Sequence, residues 1–151
     1  MRVRLDYGVE GLDVELPEER VTVIEPHARP AMADPHAALL AALRMPLGRA
    51  PLGEVVRPGQ KVAISVCDVT RAQPRRETLE AIFEELPQLA PEDVTILIAT
   101  GTHRTNTPVE IEQMLGRDIA GRYRVINHDS RDRSPLVCVG TTTTGVPIFL
   151  N

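Results

Sequence analysis

Lysine is almost missing from this chain: Lys61 stands alone against sixteen arginines. Tryptophan is absent and aromatic residues make up only 3%, so aliphatic side chains have to fill any core. Cysteine is nearly as scarce. Cys67 and Cys138 each sit in an apolar run, VAISVC and PLVCVG. Two thiols are too few for a disulfide framework and have no zinc-ligand spacing, so both are expected as buried strand residues. No stretch approaches the ~20 consecutive apolar residues of a membrane span, and the opening MRVRLDYGVEG has no apolar signal region. The expectation is a cytoplasmic protein with no membrane partner. A net charge of −4 leaves no broad basic face of the kind that grips nucleic acid. Several catalytic signatures are also missing. No G-x-G-x-x-G or Walker loop follows an apolar run, and no G-x-S-x-G elbow occurs. CDVTR has one aspartate where a phosphoaspartyl nucleophile motif needs a second two residues on.

What is present is an ordinary globular composition. With 151 residues, 42% hydrophobic and 25% charged, the chain is long enough for one domain with a real core. Residues 1–25 alternate apolar and polar (Val3, Leu5; Leu12, Val14, Leu16; Val21, Val23) around Gly8 and Gly11, which predicts a small β-hairpin or meander. A proline-rich connector follows, then a short helix over 36–44 and a helical turn within 48–56. From Lys61 the pattern changes. KVAISVC reads as a strand covered on both faces, Arg75 to Leu86 as an amphipathic helix stopped by Pro87, and DVTILIAT as a second buried strand. Thr107, Pro108 and Glu110 form a helix start with an N1 proline and a capping box, and Gly116 ends that helix. YRVIN, LVCVG and VPIFL read as three further strands. The β-α-β-α-β order predicts an α/β fold: a mostly parallel, Rossmann-like sheet with flanking helices, preceded by the N-terminal hairpin. PIFLN reads as a buried strand, so the chain is expected to be the N-terminal α/β part (1–151) of a longer protein, with its C-terminal part as partner.

In such sheets ligands bind beyond the carboxyl ends of the strands. The three loops that start there are CDVTRAQPRR, TGTHRTNT and HDSRDR. They hold Arg71, Arg75, Arg76, Arg104, Arg131 and Arg133, two of the four histidines, and Asp68, Asp129 and Asp132. Asp68 directly follows a strand, where it can accept from a sugar hydroxyl, hold an arginine, or close an Asx turn. Thr70 and Arg71 fall at the turn into the next helix, where backbone N–H groups and a guanidinium can grip an anion. His103 follows Gly101 and is placed as a general acid/base or as a loop histidine bonded to a neighbouring carbonyl. His128 with Asp129 and Asp132 is a poor match to known metal geometries, and local loop bonding is expected of them.

Cys67-Asp68-Val69-Thr70-Arg71-Ala72-Gln73-Pro74 and Ala99-Thr100-Gly101-Thr102-His103-Arg104, in this order and context, resemble the lactate racemase family pattern S-D-H-T-R-P-x-P … A-T-G-x-H-R. The likeness extends to MPLG before the first buried strand, to His128, and to GVPIFLN. It implies an isomerase, a racemase or epimerase of a small-molecule 2-hydroxy acid, that uses a nickel-pincer nucleotide and proton-coupled hydride transfer. By that resemblance Asp68, Val69, Thr70 and Arg71 contact the nucleotide, and His103 is one of two catalytic histidines. Arg71 and Arg104 become candidates for the substrate carboxylate. Val69 and Ala72 depart from the pattern's His and Pro. The family's cofactor-tethering lysine, second catalytic histidine and nickel-binding histidine fall beyond residue 151, so the 151-residue chain alone is expected to racemise nothing. A related hydride-transferring enzyme of another α-hydroxy acid or sugar acid, and a noncatalytic anion-binding domain, are the competing readings.

Overall fold

A computed structural model describes all 151 residues, which divide into two compact units, Met1–Met32 and Ala33–Asn151. In the first, β1 (Arg2–Leu5) and β2 (Leu12–Glu15) form an antiparallel pair, with Val3 opposite Val14. This is the hairpin that the alternation around Gly8 and Gly11 predicts. Val21 and Val23 add no strand to it.

The second unit starts with α1 (Pro35–Arg44) and α2 (Leu52–Val55). Asp34 caps α1 by accepting from the Ala37 amide, and Pro35 takes the first turn, where a missing N–H costs nothing. The strands β3 (Val62–Cys67), β4 (Val94–Ala99) and β5 (Arg124–Asn127) form a parallel sheet in the order β3-β4-β5. Between them run α3 (Arg75–Glu85), α4 (Pro108–Leu115) and α5 (Arg117–Arg122). The core is aliphatic, as the lack of aromatics requires. Leu79, Val94, Ile96, Ile98 and Leu115 are each at most 1% exposed. The capping box at Thr107 and Glu110 forms as the T-P-x-E pattern predicts.

Two expectations fail, each for a physical reason. β3 is covered on one face only: Val66 is buried, whereas Ala63 and Ser65 are exposed. Both crossovers step in one direction along the sheet, and right-handed connections then put every connecting helix on the same side. The last two strands, β6 (Val137–Thr141) and β7 (Pro147–Leu150), do not extend the parallel sheet. A turn with Gly145 at φ +84° joins them into a separate antiparallel hairpin, because so few intervening residues cannot make a parallel crossover. Every residue of β7 is exposed, and so is Cys138, contrary to the buried strand thiol expected there.

Candidate functional site

The parallel sheet delivers the loops after β3 and β4 to one rim. Strand register pairs Cys67 with Ala99, so the residues that follow, Asp68 and Thr100, leave the sheet side by side. From there Gly101 turns the chain at φ +59°, a left-handed conformation that glycine adopts freely, with nothing within 4 Å of where a Cβ would stand. The His103 amide closes the turn on the Thr100 carbonyl at 3.0 Å. The result is contact between the two loops: His103 Nδ1 lies 2.6 Å from Asp68 Oδ2.

Asp68 is buried, at 3% exposure, with both oxygens in use. Oδ1 accepts from the Thr70 hydroxyl at 2.6 Å and the Thr70 amide at 3.0 Å, which is the Asx turn foreseen as one reading of this residue. Oδ2 takes the imidazole. The Thr70 hydroxyl first, and His103 second, hold the carboxyl at about 2, below its ordinary 3.8. It is therefore ionised and can only accept. The His103 nitrogen facing it is then the donor, and the lone pair of the neutral ring is on Nε2. The imidazole remains about half exposed, at 47%. This arrangement suits proton abstraction by the outer nitrogen.

A cavity of about 290 Å³ opens at this point, lined by Cys67 and Ala99 together with Asp68, Arg71, Gly101 and His103. No carboxylate pairs with the Arg71 guanidinium, which leaves it available to an anion. Of the other arginines in these loops, Arg131 is exposed and forms no ion pair, and the remaining four are engaged elsewhere. Arg75 is buried and turns inward, donating to the carbonyls of Cys67, Asp68, Arg71 and Gln73. Arg76 pairs with Glu80 and Asp118. Arg104 grips Glu110 through two nitrogens, at 2.6 and 2.9 Å. That pair, with the Thr107 amide, holds the Glu110 carboxyl at about 2 and commits Arg104 to the start of α4. Arg133 lies over the Phe149 ring. The concentration of arginine read from the sequence is thus largely structural, with Arg71 as the free charge at the cavity.

The backbone amides near Thr70 are occupied as well. The Val69 amide donates to Asn106 Oδ1, the Thr70 amide to Asp68, and the Arg71 amide to the Asp68 carbonyl. They do not form the free anion nest expected at that turn. The side chain of Val69 is exposed. Asn106 and Asn127 were not singled out by sequence. The Asn106 amide and side chain both donate to Asn127 Oδ1, and Asn127 Nδ2 returns a bond to the Asn106 carbonyl. Together they tie the loops after β3 and β4 to the end of β5. Their one sequence signal was an amide ending an otherwise apolar strand, at Asn127.

His128 sits at the same edge, its carbonyl accepting from the Thr100 hydroxyl at 2.6 Å and its ring bonded to Asn151. Asp129 and Asp132 close turns by accepting from the Arg131 and Ser134 amides, which is the local bonding expected of them. Nowhere do three His, Cys, Asp or Glu side chains converge as metal ligands would. Lys61 pairs with Asp93 at the opposite end of the strands.

Comparison with known proteins bears on the family and the fold. The family described as the lactate racemase N-terminal domain matches residues 7–151. The lactate racemase of Thermoanaerobacterium thermosaccharolyticum is 28% identical over 153 residues, taking in 99% of this chain and 36% of that protein. The lactate racemase of Lactiplantibacillus plantarum is 31% identical over 107 residues, 70% of this chain and 25% of that protein. The solved structure of the T. thermosaccharolyticum lactate racemase apoprotein superposes with a TM-score of 0.76 at 29% identity, over 100% of this chain and 36% of that one. A crystal structure from Thermotoga maritima gives 0.56 at 26% identity, over 71% of this chain and 24% of that one. The chain thus spans about a third of the length of the first of these relatives. With a family match over nearly its whole length, this chain belongs to the lactate racemase N-terminal domain family.

Proposed function

We propose that this chain is the N-terminal domain of a cytoplasmic 2-hydroxy acid racemase or epimerase, in which His103 moves the proton of the substrate 2-hydroxyl. The observation that carries this reading is the 2.6 Å contact between His103 and the ionised Asp68, beside an unpaired Arg71. Asp68 holds the ring orientation and the tautomer, so that Nε2 takes the hydroxyl proton and later gives it back. Arg71 pairs with the substrate carboxylate or with an anionic group of the cofactor, since its planar fork matches either. Arg104, gripped by Glu110, is the weaker candidate for that task.

A nickel-pincer nucleotide is the proposed cofactor. The donor set here suits an anionic portion of it, at Arg71 and the open turn at Gly101, and not a metal ion, for which no cluster of ligands exists. The tether and the nickel ligands are accordingly proposed to come from outside residues 1–151. The chemistry supplied by the bound group would be reversible hydride uptake at its pyridinium ring. Asp68, with both oxygens engaged inside the chain, serves the nucleotide indirectly, by fixing the loop from Val69 to Arg71.

The test is His103→Ala in the protein spanning the full length of the relatives. Turnover of D- and L-lactate, and of a panel of other 2-hydroxy acids, should fall by about 10²–10⁴ with cofactor content unchanged. Unchanged turnover would leave an anion-binding domain as the better reading. The 151-residue chain alone should racemise none of these acids.

A further inference from the structure

The two faces of the parallel sheet are unlike. On one, Val66, Val94, Ile96 and Ile98 are buried under α3, α4 and α5. On the other, Ala63, Ser65 and Ala99 are exposed, and Leu97 and Ile126 only half-buried. Register places Ser65, Leu97 and Ile126 in one row across that face, with Cys67 and Ala99 in the next. Neither of these rows carries a charge; the third, Ala63, Thr95 and Arg124, carries one, at its β5 end. The small side chains on β3 let a packed helix approach closely. Purely parallel sheets are found almost only with both faces covered, since their strands are apolar on both sides. The helices that connect β3, β4 and β5 cannot serve the second face, because one winding direction keeps them on the first.

We propose that this bare face seats a helical segment from the polypeptide that corresponds to the remaining length of the lactate racemases. Length supports this occupant: the T. thermosaccharolyticum protein has almost two thirds of its chain outside the matched part. Continuity with the site supports it too. Cys67 and Ala99 end the bare face and also line the cavity beside His103. At about 290 Å³ and open to solvent, that cavity lies at the lower limit for a small-molecule site of roughly 300–1,000 Å³. A segment laid on the sheet therefore also supplies the missing wall of the cavity. The inference rests on the sheet and on chain length, not on the proton chemistry proposed above.

Thiol labelling tests it in the full-length protein. With Cys67 and Cys138 replaced by Ala, Ser65→Cys introduces one reporter on the bare face, and Ala63→Cys repeats the measurement one row away. A maleimide should label either position roughly tenfold or more slowly in the native protein than in denaturant. Native labelling at the denatured rate overturns the proposal. Protection that vanishes on dilution, together with loss of a dimer in sedimentation, overturns it as well, by showing a second copy on the face. Turnover is read separately, in the unsubstituted protein, since Cys67 lines the cavity. A protected reporter with an inactive unsubstituted protein upholds the docking surface and removes the racemase reading, whereas an unprotected reporter with an active one does the reverse.

Discussion

The two ends of β3 and β4 are built from the same strands and have different contents. At the starting end, Lys61 meets Asp93 in an ion pair whose lysine is 77% exposed. At the finishing end, a buried carboxylate holds an imidazole, a buried guanidinium braces four carbonyls, and two asparagines clasp two loops to the end of β5. In a parallel sheet all strands finish on one side, so the loops that start there meet one another, whereas those at the other side arrive from separate helices. Loops that meet can share side chains, and shared side chains make a site.

Substitutions at the two ends sharpen this contrast. After His103→Ala, the largest effect is expected from Asp68→Asn in the full-length protein. The new amide N–H faces the imidazole and favours the opposite tautomer, so turnover should drop by roughly ten- to a hundredfold, with the protein still folded by circular dichroism. Turnover equal to that of the unsubstituted protein would show that the contact does not orient the ring. Next comes Asn106→Ala, which leaves the Val69 amide without its partner and removes one of the two bonds to Asn127 Oδ1, while the bonds of Asn127 to the Asn106 backbone remain. Urea unfolding should register a loss of about 1–3 kcal/mol.

Acid comes third. Asp68 and Glu110 have folded values of about 2, below their ordinary 3.8 and 4.5. Their contributions are present above those ordinary values and disappear as pH falls from about 4.5 towards 2. The thermal midpoint should decline across that window, and more shallowly in Asp68→Asn. Smallest is Lys61→Ala. An exposed pair of this kind is worth no more than about 1 kcal/mol, and turnover should not move. A large loss of activity there would break the contrast between the two ends.

Much of the fold was legible from local pattern. The N1 proline and capping box of α4, the run VAISVC, and the N-terminal alternation each specify an element through short-range geometry. The rim holding Asp68 and His103 was also legible, because Asp68 directly follows one apolar strand and His103 lies in the loop after the next, and the order of the strands implies a parallel sheet. Less was legible in the arginines. Arg71 lies in the loop before α3 and Arg75 opens α3 four residues on, yet one is free at the cavity and the other is buried against carbonyls. Nothing in their spacing separates them, since burial depends on how α3 meets the sheet. The asparagine clasp was hidden for the same reason: its partners are 21 residues apart.

By itself the sequence determined which segments become strands and helices, since caps, turns and hydrophobic period act over a few residues. Tertiary structure alone decided that Asp68 pairs with His103, that Arg104 belongs to a helix start, and that residues 1–151 leave one face of the sheet uncovered. Those outcomes depend on strand order, winding direction and contacts between residues far apart in the chain, which no local pattern encodes.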